Sequence, residues 1–309
     1  MTRYFGIGKQ SGFGTAATPN RFVAANSVSL TPNEERDYPA TIADRAALFV
    51  QPSEKYSEIE VEMMIWPEGG LENILHAFFQ NVTTTTLDAT NSVYRHTFTP
   101  AGFNPSMTYY TFEVGYDPGL QALRAPNCVV DSLEFSFASD SAPTLSFSAV
   151  GDYPALVARS TPSFPAIRPF QVPNVSVQIG GAPVELQELS IELNNNTERI
   201  HDLSGALKAI ELQSLEVSGS FSVRFKNTTH LSNFLNRTET SLKVTLTGPN
   251  AGGSYNYSLE IELSRIVYDA WSAEISEADL LAQDVDFQAL KPASGDIIVV
   301  RLVNKVATI

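Results

Sequence analysis

The stretch Val28-Ser29-Leu30-Thr31-Pro32-Asn33-Glu34-Glu35-Arg36 returns later in the chain as Ile191-Glu192-Leu193-Asn194-Asn195-Asn196-Thr197-Glu198-Arg199. With Val28 placed on Ile191, the apolar residues match and Asn33, Glu35 and Arg36 fall on identical residues. Both stretches begin with alternating apolar and polar residues, which is typical of a half-buried strand. The match predicts that one structural unit occurs twice in this chain.

The residues after each stretch also match in order. In each half an alternating strand, at 59–65 and at 221–225, leads into residues with the spacing of one helical face. Residues 227–229, Asn-Thr-Thr, supply cap chemistry for the second helix. The predicted helix stripes are Leu71, Ile74, Leu75, Phe78 and Phe79 in the first half and Leu231, Phe234 and Leu235 in the second.

Further strands complete each half. Tyr110 is matched with Tyr257, and the pair of segments 129–130 and 145–149 is matched with 266–267 and 285–289. Strands with one polar face belong to antiparallel sheets or sandwiches, and one helix per unit is too few for βαβ winding. We therefore predict a mainly β chain of two tandem β-barrels or sandwiches, each with one flanking α-helix.

A proline-rich stretch separates the two halves. Pro154, Pro162, Pro165, Pro169 and Pro173 favour an extended, stiff connector over a helix or a central strand. We predict the first copy over residues 1–155, a linker over 156–174 and the second copy over 175–309. The first copy is expected to include a flexible glycine-rich N-terminal arm and a long loop over residues 37–56.

Composition excludes several classes of protein. The 309 residues are 43% hydrophobic and 17% charged, which suits a packed core and argues against disorder. No apolar run is long enough for a membrane helix, and the start lacks signal-peptide features, so we expect the mature terminus of a soluble protein. The single cysteine, Cys128, excludes an internal disulfide. A net charge of −14 argues against nucleic-acid binding, which depends on lysine and arginine.

Motifs for chemistry are absent from the sequence. The four histidines lack metal-ligand spacing and are expected at the surface or in helix caps, and no Gly-x-Ser-x-Gly occurs. The N-terminal glycines lack the strand, helix and Gly-Lys-Ser/Thr ending of a phosphate loop. Glu58, Glu60 and Glu62 share one strand face, which fits a solvated surface or a subunit seam. We predict neither catalytic residues nor a cofactor nor a bound metal.

The long loop combines apolar residues with charges. The segment from Asp37 to Tyr56 carries Leu48, Phe49, Val50 and Tyr56 among its charged residues. Loops longer than about 12–15 residues in compact domains are usually functional or disordered. The loop either docks on another subunit or folds back on its own domain, and the sequence favours neither.

Several segments together resemble a known family. The N-terminal residues 8–19, the junction Trp66-Pro67 before the first helix, and the strands at 130–137 and 145–151 are similar to tail tube proteins of phages with long non-contractile tails. The segments 177–181 and 189–194 of the second half are similar in the same way. The similarity covers nearly the whole chain, although each motif is tolerant of substitution.

The resemblance implies a structural protein of the virion tail, assembled in the host cytoplasm. Its subunits form rings that stack into a tube through which double-stranded DNA passes without specific binding, and three duplicated chains resemble a ring of six units. Other tail proteins are further partners, and no membrane is involved. The family's long loop contributes to ring stacking, which places these residues at a ring-to-ring contact: Asp37, Tyr38, Asp44, Arg45, Leu48, Phe49, Val50 and Tyr56. The corresponding stretch of the second half, Ile200–Ser214, is shorter.

Three other functions stay open at this point. A tail terminator, a baseplate or a secretion-tube ring component can share the same fold, and it differs from a tube protein in the length of its assembly. A carbohydrate-binding β-sandwich needs an exposed aromatic platform, whereas Trp66 and Trp271 stand in apolar contexts that favour the core. An enzyme needs a constellation of residues that this sequence does not show.

Overall fold

The computed structural model describes residues 3–40, 46–47, 49–103, 105–117, 119–273 and 282–309. The chain is 57% strand and 7% helix, which confirms the predicted mainly β class. The described helices are α1 (Leu71–Phe79) and α2 (Thr229–Leu235), both at the predicted positions, and a 3-10 turn covers Val172–Asn174. The strands are β1 (Tyr4–Lys9), β2 (Arg21–Val23), β3 (Ala25–Asp37), β4 (Gln51–Met64), β5 (Gln80–Asp88), β6 (Val93–Pro100), β7 (Tyr110–Gly115), β8 (Ala122–Ala138), β9 (Thr144–Gly151), β10 (Ala155–Val157), β11 (Val175–Ile179), β12 (Ala182–Val184), β13 (Leu186–Asn194), β14 (Glu198–His201), β15 (Leu207–Glu211), β16 (Glu216–Arg224), β17 (Thr240–Gly252), β18 (Tyr255–Ser272), β19 (Ala282–Ala289) and β20 (Val299–Asn304).

Eight strands from both halves form one antiparallel sheet, in the order β3-β4-β9-β8-β13-β16-β19-β18. Apolar and polar residues alternate along these strands, so the apolar side chains collect on one face and the polar side chains on the other. On β4, Ile59, Val61 and Met63 are buried and alternate with three exposed glutamates. We call this structure the eight-strand sheet; its polar face carries the candidate site described below.

A second layer covers the apolar face of the eight-strand sheet. The long strands β8 and β18 belong to both layers, because their N-terminal parts pair away from the eight-strand sheet, in the orders β2-β1-β7-β8-β10 and β12-β11-β17-β18-β20-β6-β5. Bulges at Val130/Ser132 in β8 and at Tyr268/Ala270 in β18 interrupt the pairing with β9 and β19, and bulges bend strands. The helices pack on β8 and β18, and the apolar side chains of both halves form one buried cluster.

The strand pairings of the first half recur in the second half. Eight strands of each half pair with one another in the same pattern. In the first half these strands are β1, β2, β3, β4, β7, β8, β9 and β10, and their counterparts, in the same order, are β11, β12, β13, β16, β17, β18, β19 and β20. Leu30 pairs with Ile59, and Leu193, its match in the sequence, pairs with Val217. The match of Tyr110 with Tyr257 is not reproduced, because Tyr110 begins β7 whereas Tyr257 lies in β18.

Two strand pairs join the halves to each other. β8 of the first half pairs with β13 of the second half over seven residues, from Ser132↔Asn194 to Ala138↔Glu188. In the second layer, β20 pairs with β6 of the hairpin β5–β6, which has no counterpart among the strands described for the second half. The two halves therefore share a continuous backbone hydrogen-bond network.

The prediction of a flexible N-terminal arm is wrong for residues 4–9. They form β1, a strand between β2 and β7 in which Phe5 and Ile7 are buried. The glycines allow close packing there, because a Cβ at Gly8 would lie 2.8 Å from the backbone oxygen of Thr18. Gly6 and Gly8 therefore mark a tightly covered strand, whereas a Cβ at Gly12 or Gly14 would meet nothing within 4 Å.

The proline-rich connection lies against the first half. β10 extends the strands of the first half to Val157, and residues 158–171 contain neither helix nor strand. Phe170 is buried, and its N–H donates to the carbonyl oxygen of Ile65 at 2.9 Å. The connection is thus anchored by burial of an aromatic side chain as well as stiffened by proline.

Two histidines occupy positions that the sequence did not predict. His76 and His96 are buried, although surface or cap positions were expected. His76 Nδ1 lies 2.7 Å from the hydroxyl oxygen of Tyr110, and His96 Nε2 lies 3.0 Å from Asn304 Oδ1. Burial lowers the pKa of His76 to about 4, so this imidazole is neutral at pH 7. Both side chains hold strands and helix together from within.

The two helices differ in burial, and this difference predicts the result of truncating each one. Phe78 of α1 is 1% exposed, whereas Leu235 of α2 is 69% exposed. Phe78→Ala should lower the free energy of unfolding of the subunit by about 3–5 kcal/mol, because it leaves a cavity in the core. Leu235→Ala should change it by less than about 0.5 kcal/mol. Urea denaturation of the two variants measures both values, and equal losses would contradict the placement of the helices.

Candidate functional site

The polar face of the eight-strand sheet is a continuous surface of serine and acidic side chains. One row of directly paired residues crosses six strands as Ser27, Glu62, Ser146, Glu134, Glu192 and Ser218. The acidic residues of this face are Glu58, Glu60, Glu62, Glu134, Glu188, Glu192, Glu216, Asp284 and Asp286. Among the described residues of the eight strands the basic Arg224 shares this face, and Arg199 of β14 pairs with Glu58 at 3.8 Å.

The side chains of this face bond mainly to one another. The hydroxyl oxygens of Ser132 and Ser148 lie 2.6 Å apart across β8 and β9. Ser136 and Ser190 both donate to Glu134 Oε1, at 3.2 and 3.3 Å. Two depressions on this face, of about 420 and 330 Å³, are lined mostly by serine, threonine and acidic residues. The face offers hydrogen-bonding groups and negative charge over a broad area, without an enclosed pocket.

The sequence indicated only part of this surface. It predicted that Glu58, Glu60 and Glu62 share a face, and the structure confirms that they are exposed on one side of β4. It did not predict that the serines of β8, β9, β13 and β16 lie beside them. The signal was present as serine at every second position, for instance Ser218, Ser220 and Ser222, but the strand order that joins these strands is not a local property.

The strands at the two ends of the eight-strand sheet have open edges. Among the described residues β3 pairs only with β4. The C-terminal part of β18, beyond Ile266, pairs on one side with β19 and has no described strand on its other side. Unpaired N–H and C=O groups along a strand edge are sites at which another strand adds.

The predicted stacking residues lie at one end of this sheet. β3 ends at Asp37 and β4 begins at Gln51, so residues 51–56 are strand and the loop is shorter than the predicted 37–56. We call residues 38–50 the hairpin tip. Tyr38 and Phe49 are 55% and 57% exposed, and Val50 is also exposed. Asp44, Arg45 and Leu48 lie outside the described residues.

The base of the hairpin is held by charged side chains. Lys55 Nζ and Arg36 Nη2 lie 2.7 and 2.5 Å from the carboxylate oxygens of Glu34. The hydrogen bonds from Lys55 and Arg36 hold the pKa of the Glu34 carboxyl below its usual range. The Lys55–Glu34 pair joins β4 to β3, and the Arg36–Glu34 pair lies within β3, next to the exposed aromatic residues of the hairpin tip.

Tyr56 does not belong to the exposed tip. It lies in β4, and the guanidinium carbon of Arg199 sits 3.6 Å from the centre of its ring. Arg199 belongs to β14, which pairs with β15. The pair Arg199↔Ile210 corresponds to Arg36↔Pro52 of the β3–β4 hairpin, so the counterpart of the hairpin tip in the second half is the turn between β14 and β15. His201 Nδ1 also lies 3.3 Å from Glu54 Oε2, and a Cβ on Gly205 would lie 2.5 Å from the Ser53 oxygen. The second-half loop is therefore folded down against the first-half hairpin.

The sequence matches a known family: the family model described as phage tail tube protein covers residues 2–289. The chain belongs to the phage tail tube protein family. A phage tail tube protein is a structural component of the virion tail, and the family implies assembly with copies of itself and with other tail proteins. The family is not known to be enzymatic. Comparison with curated proteins found no match.

Three further observations concern metal binding, membrane helices and the single cysteine. Within the residues that the structure describes, no group of three or more histidine, cysteine, aspartate and glutamate side chains could hold a metal ion. No helix in the same residues has the length and apolar character needed to cross a bilayer. Cys128 is buried, and burial raises the pKa of its thiol, which makes this cysteine of the tail tube protein unreactive.

The contact between Arg199 and Tyr56 predicts how the β14–β15 hairpin is held in place. Arg199→Ala removes the cation–π contact with Tyr56 and the ion pair with Glu58, so amides of residues 198–211 should exchange hydrogen at least several-fold faster. Lys208→Ala is the matched control, because Lys208 pairs only with Asp202 inside the same hairpin in the described contacts. Hydrogen-exchange mass spectrometry measures both variants, and unchanged exchange in Arg199→Ala would contradict this role.

Proposed function

We propose that this chain consists of two copies of one domain and assembles head to tail into rings, which stack to form the conduit of the phage tail tube. The observation that carries this proposal is the pairing of β8 with β13 inside the chain. β8 and β18 hold equivalent places in the recurring strand pattern, and so do β13 and β3. The open edges of β18 and β3 are therefore complementary. The edge of β18 corresponds to that of β8, the edge of β3 corresponds to that of β13, and β8 and β13 already pair within the chain.

The internal junction also predicts the register of the contact between subunits. Phe135 and Trp271 hold equivalent positions, since they pair with Leu145 and Val285 in the matching strands β9 and β19. Phe135 pairs with Ile191, the match of Val28. The same reasoning places Ala270 of one subunit opposite Ser29 of the next, with Trp271 opposite Val28. Repetition of a head-to-tail contact of this kind forms a closed ring when the rotation between neighbouring subunits divides a full turn evenly.

The width of the ring favours three chains. Each chain contributes eight strands, so two chains would give a barrel about 30 Å between backbones and three chains one of about 45 Å, at usual strand spacing and tilt. Side chains that project into the channel would narrow the two-chain barrel to nearly the width of duplex DNA. Three chains leave free space around the duplex.

The polar face of the eight-strand sheet suits the lumen of such a barrel. The apolar face is covered by the second layer and the helices, so the polar face is the one left to line the channel. Its acidic side chains repel phosphate groups, and its serines are small. Attraction of nucleic acid to proteins depends on lysine and arginine, which this face nearly lacks in the described strands. DNA would pass along this wall without binding sites that hold it.

A pair of cysteines tests the ring contact. Ser29→Cys combined with Ala270→Cys should give disulfide-linked oligomers that close at three subunits, seen on non-reducing gels after oxidation of assembled protein. The matched control combines Ser29→Cys with Thr83→Cys, which lies on β5 at an edge of the second layer and is exposed. Native Cys128 can remain, because it is buried.

Each result of the cross-linking has a definite meaning. Closed trimers in the test pair alone support the proposed edge contact and stoichiometry. Closed rings of another size would overturn the number of chains, and equal cross-linking in the control would overturn the edge contact. Electron microscopy of the same samples distinguishes stacked rings, expected for a tube, from single rings, expected for a terminator.

The charge of the lumen is tested by reversing it. Glu62→Lys combined with Glu134→Lys places neighbouring positive charges on the polar face, and tubes of this variant should co-sediment with duplex DNA at low salt. The binding should weaken as salt is raised. Tubes carrying Thr83→Lys and Thr85→Lys on β5 are the control, with the same two lysines outside the lumen. Retention of DNA by the control but not by the test variant would place the lumen elsewhere.

A further inference from the structure

A large cavity opens beneath α2 in the second half. It measures about 920 Å³ and lies between the β11–β12 hairpin, the start of β13, the end of β16 and α2. Val177, Val184 and Leu186 line it, and several other lining residues, such as Ala182 and Asn227, are exposed. A cavity of this size and composition is in the range that binds ligands and peptide segments. No residue of α2 is fully buried.

The equivalent place in the first half is filled by the chain itself. There the space between β2, the end of β4 and the approach to α1 is lined by Phe22, Val23 and Trp66 and holds only about 30 Å³. The dipeptide Phe164–Pro165 from the proline-rich connection covers it: Phe164 stays 37% exposed, and Pro165 packs so closely that a Cβ on Gly69 would lie 2.9 Å from its Cγ. The first-half site thus shows which chemistry this architecture accepts: an aromatic residue followed by proline.

The hairpin tip offers a similar dipeptide, tyrosine followed by proline, at the opposite end of the subunit. Tyr38–Pro39 follows directly on β3, and exposed Phe49 and Val50 stand at the other side of the tip. β3 and β13 run in the same direction through the alternating antiparallel sheet, so the tip lies beyond the C-terminal ends of these strands. The cavity lies at their N-terminal ends, beside Leu186.

The numbers of tips and cavities agree. The second-half counterpart of the tip is folded against β4 through Arg199 and His201, and the first-half cavity is filled by Phe164–Pro165. Within the described residues each chain therefore presents one exposed tip at one end and one open cavity at the other. Successive rings that stack in the same orientation bring these two features face to face.

We propose that the hairpin tip of a subunit in one ring docks, through Tyr38–Pro39, into the cavity beneath α2 of a subunit in the next ring. This inference rests on the ring stacking of the proposed function and names the surface that receives the tip. The occupant is a second copy of this chain. The exposed apolar residues at both ends are buried by the contact, and its head-to-tail geometry extends the tube without limit.

Cross-linking between rings tests the docking. Tyr38→Cys combined with Ala182→Cys, a residue of the cavity wall, should give a ladder of disulfide-linked subunits in oxidised tubes. The matched control combines Ala182→Cys with Leu203→Cys, which is fully exposed in the folded-down counterpart of the tip. A second comparison uses Phe103→Cys with Ala182→Cys, because Phe103 is 96% exposed and is the main alternative occupant.

The outcomes separate this proposal from the proposed function. A ladder from the Tyr38 pair alone supports the docking. Tubes that form normally but cross-link only through Phe103, or not at all, overturn the docking and leave the tube function standing. Protein that forms no stacked rings overturns both.

A filled cavity gives an independent test that does not need cysteines. Ala182→Trp places a large side chain in the cavity and should leave closed rings that fail to stack, seen by electron microscopy and sedimentation. Ala182→Ser is the control and should form tubes as the parent protein does. Normal tubes from Ala182→Trp, with an unchanged unfolding midpoint, would overturn the docking.

Discussion

The antiparallel pairing of β8 with β13 is the contact on which the rest of the structure depends. It carries the eight-strand sheet across the boundary between the two halves, so that backbone hydrogen bonds join what would otherwise be two edges. An exposed, flat strand edge invites uncontrolled association. In this chain one pair of edges is joined internally, and the other pair, β18 and β3, is left complementary. The proposed ring follows from repeating that one contact.

The two halves have the same pattern of strand pairing but differ at the two places on which the proposed stacking depends. The first half keeps its hairpin tip exposed and fills the space before its helix with Phe164–Pro165. The second half folds its loop down through Arg199 and leaves the corresponding space open. If the two halves were identical, each chain would have two tips at one end and two cavities at the other. With this asymmetry, the proposed docking gives one stacking contact per chain.

Local periodicity in the sequence predicted the strand-to-helix unit correctly. The helix stripe from Leu71 to Phe79 and the alternation on β4 are properties of neighbouring residues, and the structure confirms both. The sequence failed at β1 because glycine usually indicates flexibility, whereas Gly6 and Gly8 provide room for the crossing segment around Thr18. It also failed at His76 and His96, whose burial depends on partners far along the chain, Tyr110 and Asn304.

By itself, the sequence determined the β-rich class, the recurrence of one motif, the acidic composition and the resemblance to tail tube proteins, since these depend on residue type and spacing. Only the tertiary structure decided which strands lie side by side. It therefore also decided that serine and acidic side chains from β3, β4, β9, β8, β13 and β16 form one face. It also decided which edges stay open and which cavity is filled. The physical reason is that strand pairing is non-local: the hydrogen-bonding groups of every backbone are alike, and the partner of a strand is selected by the packing of the whole domain.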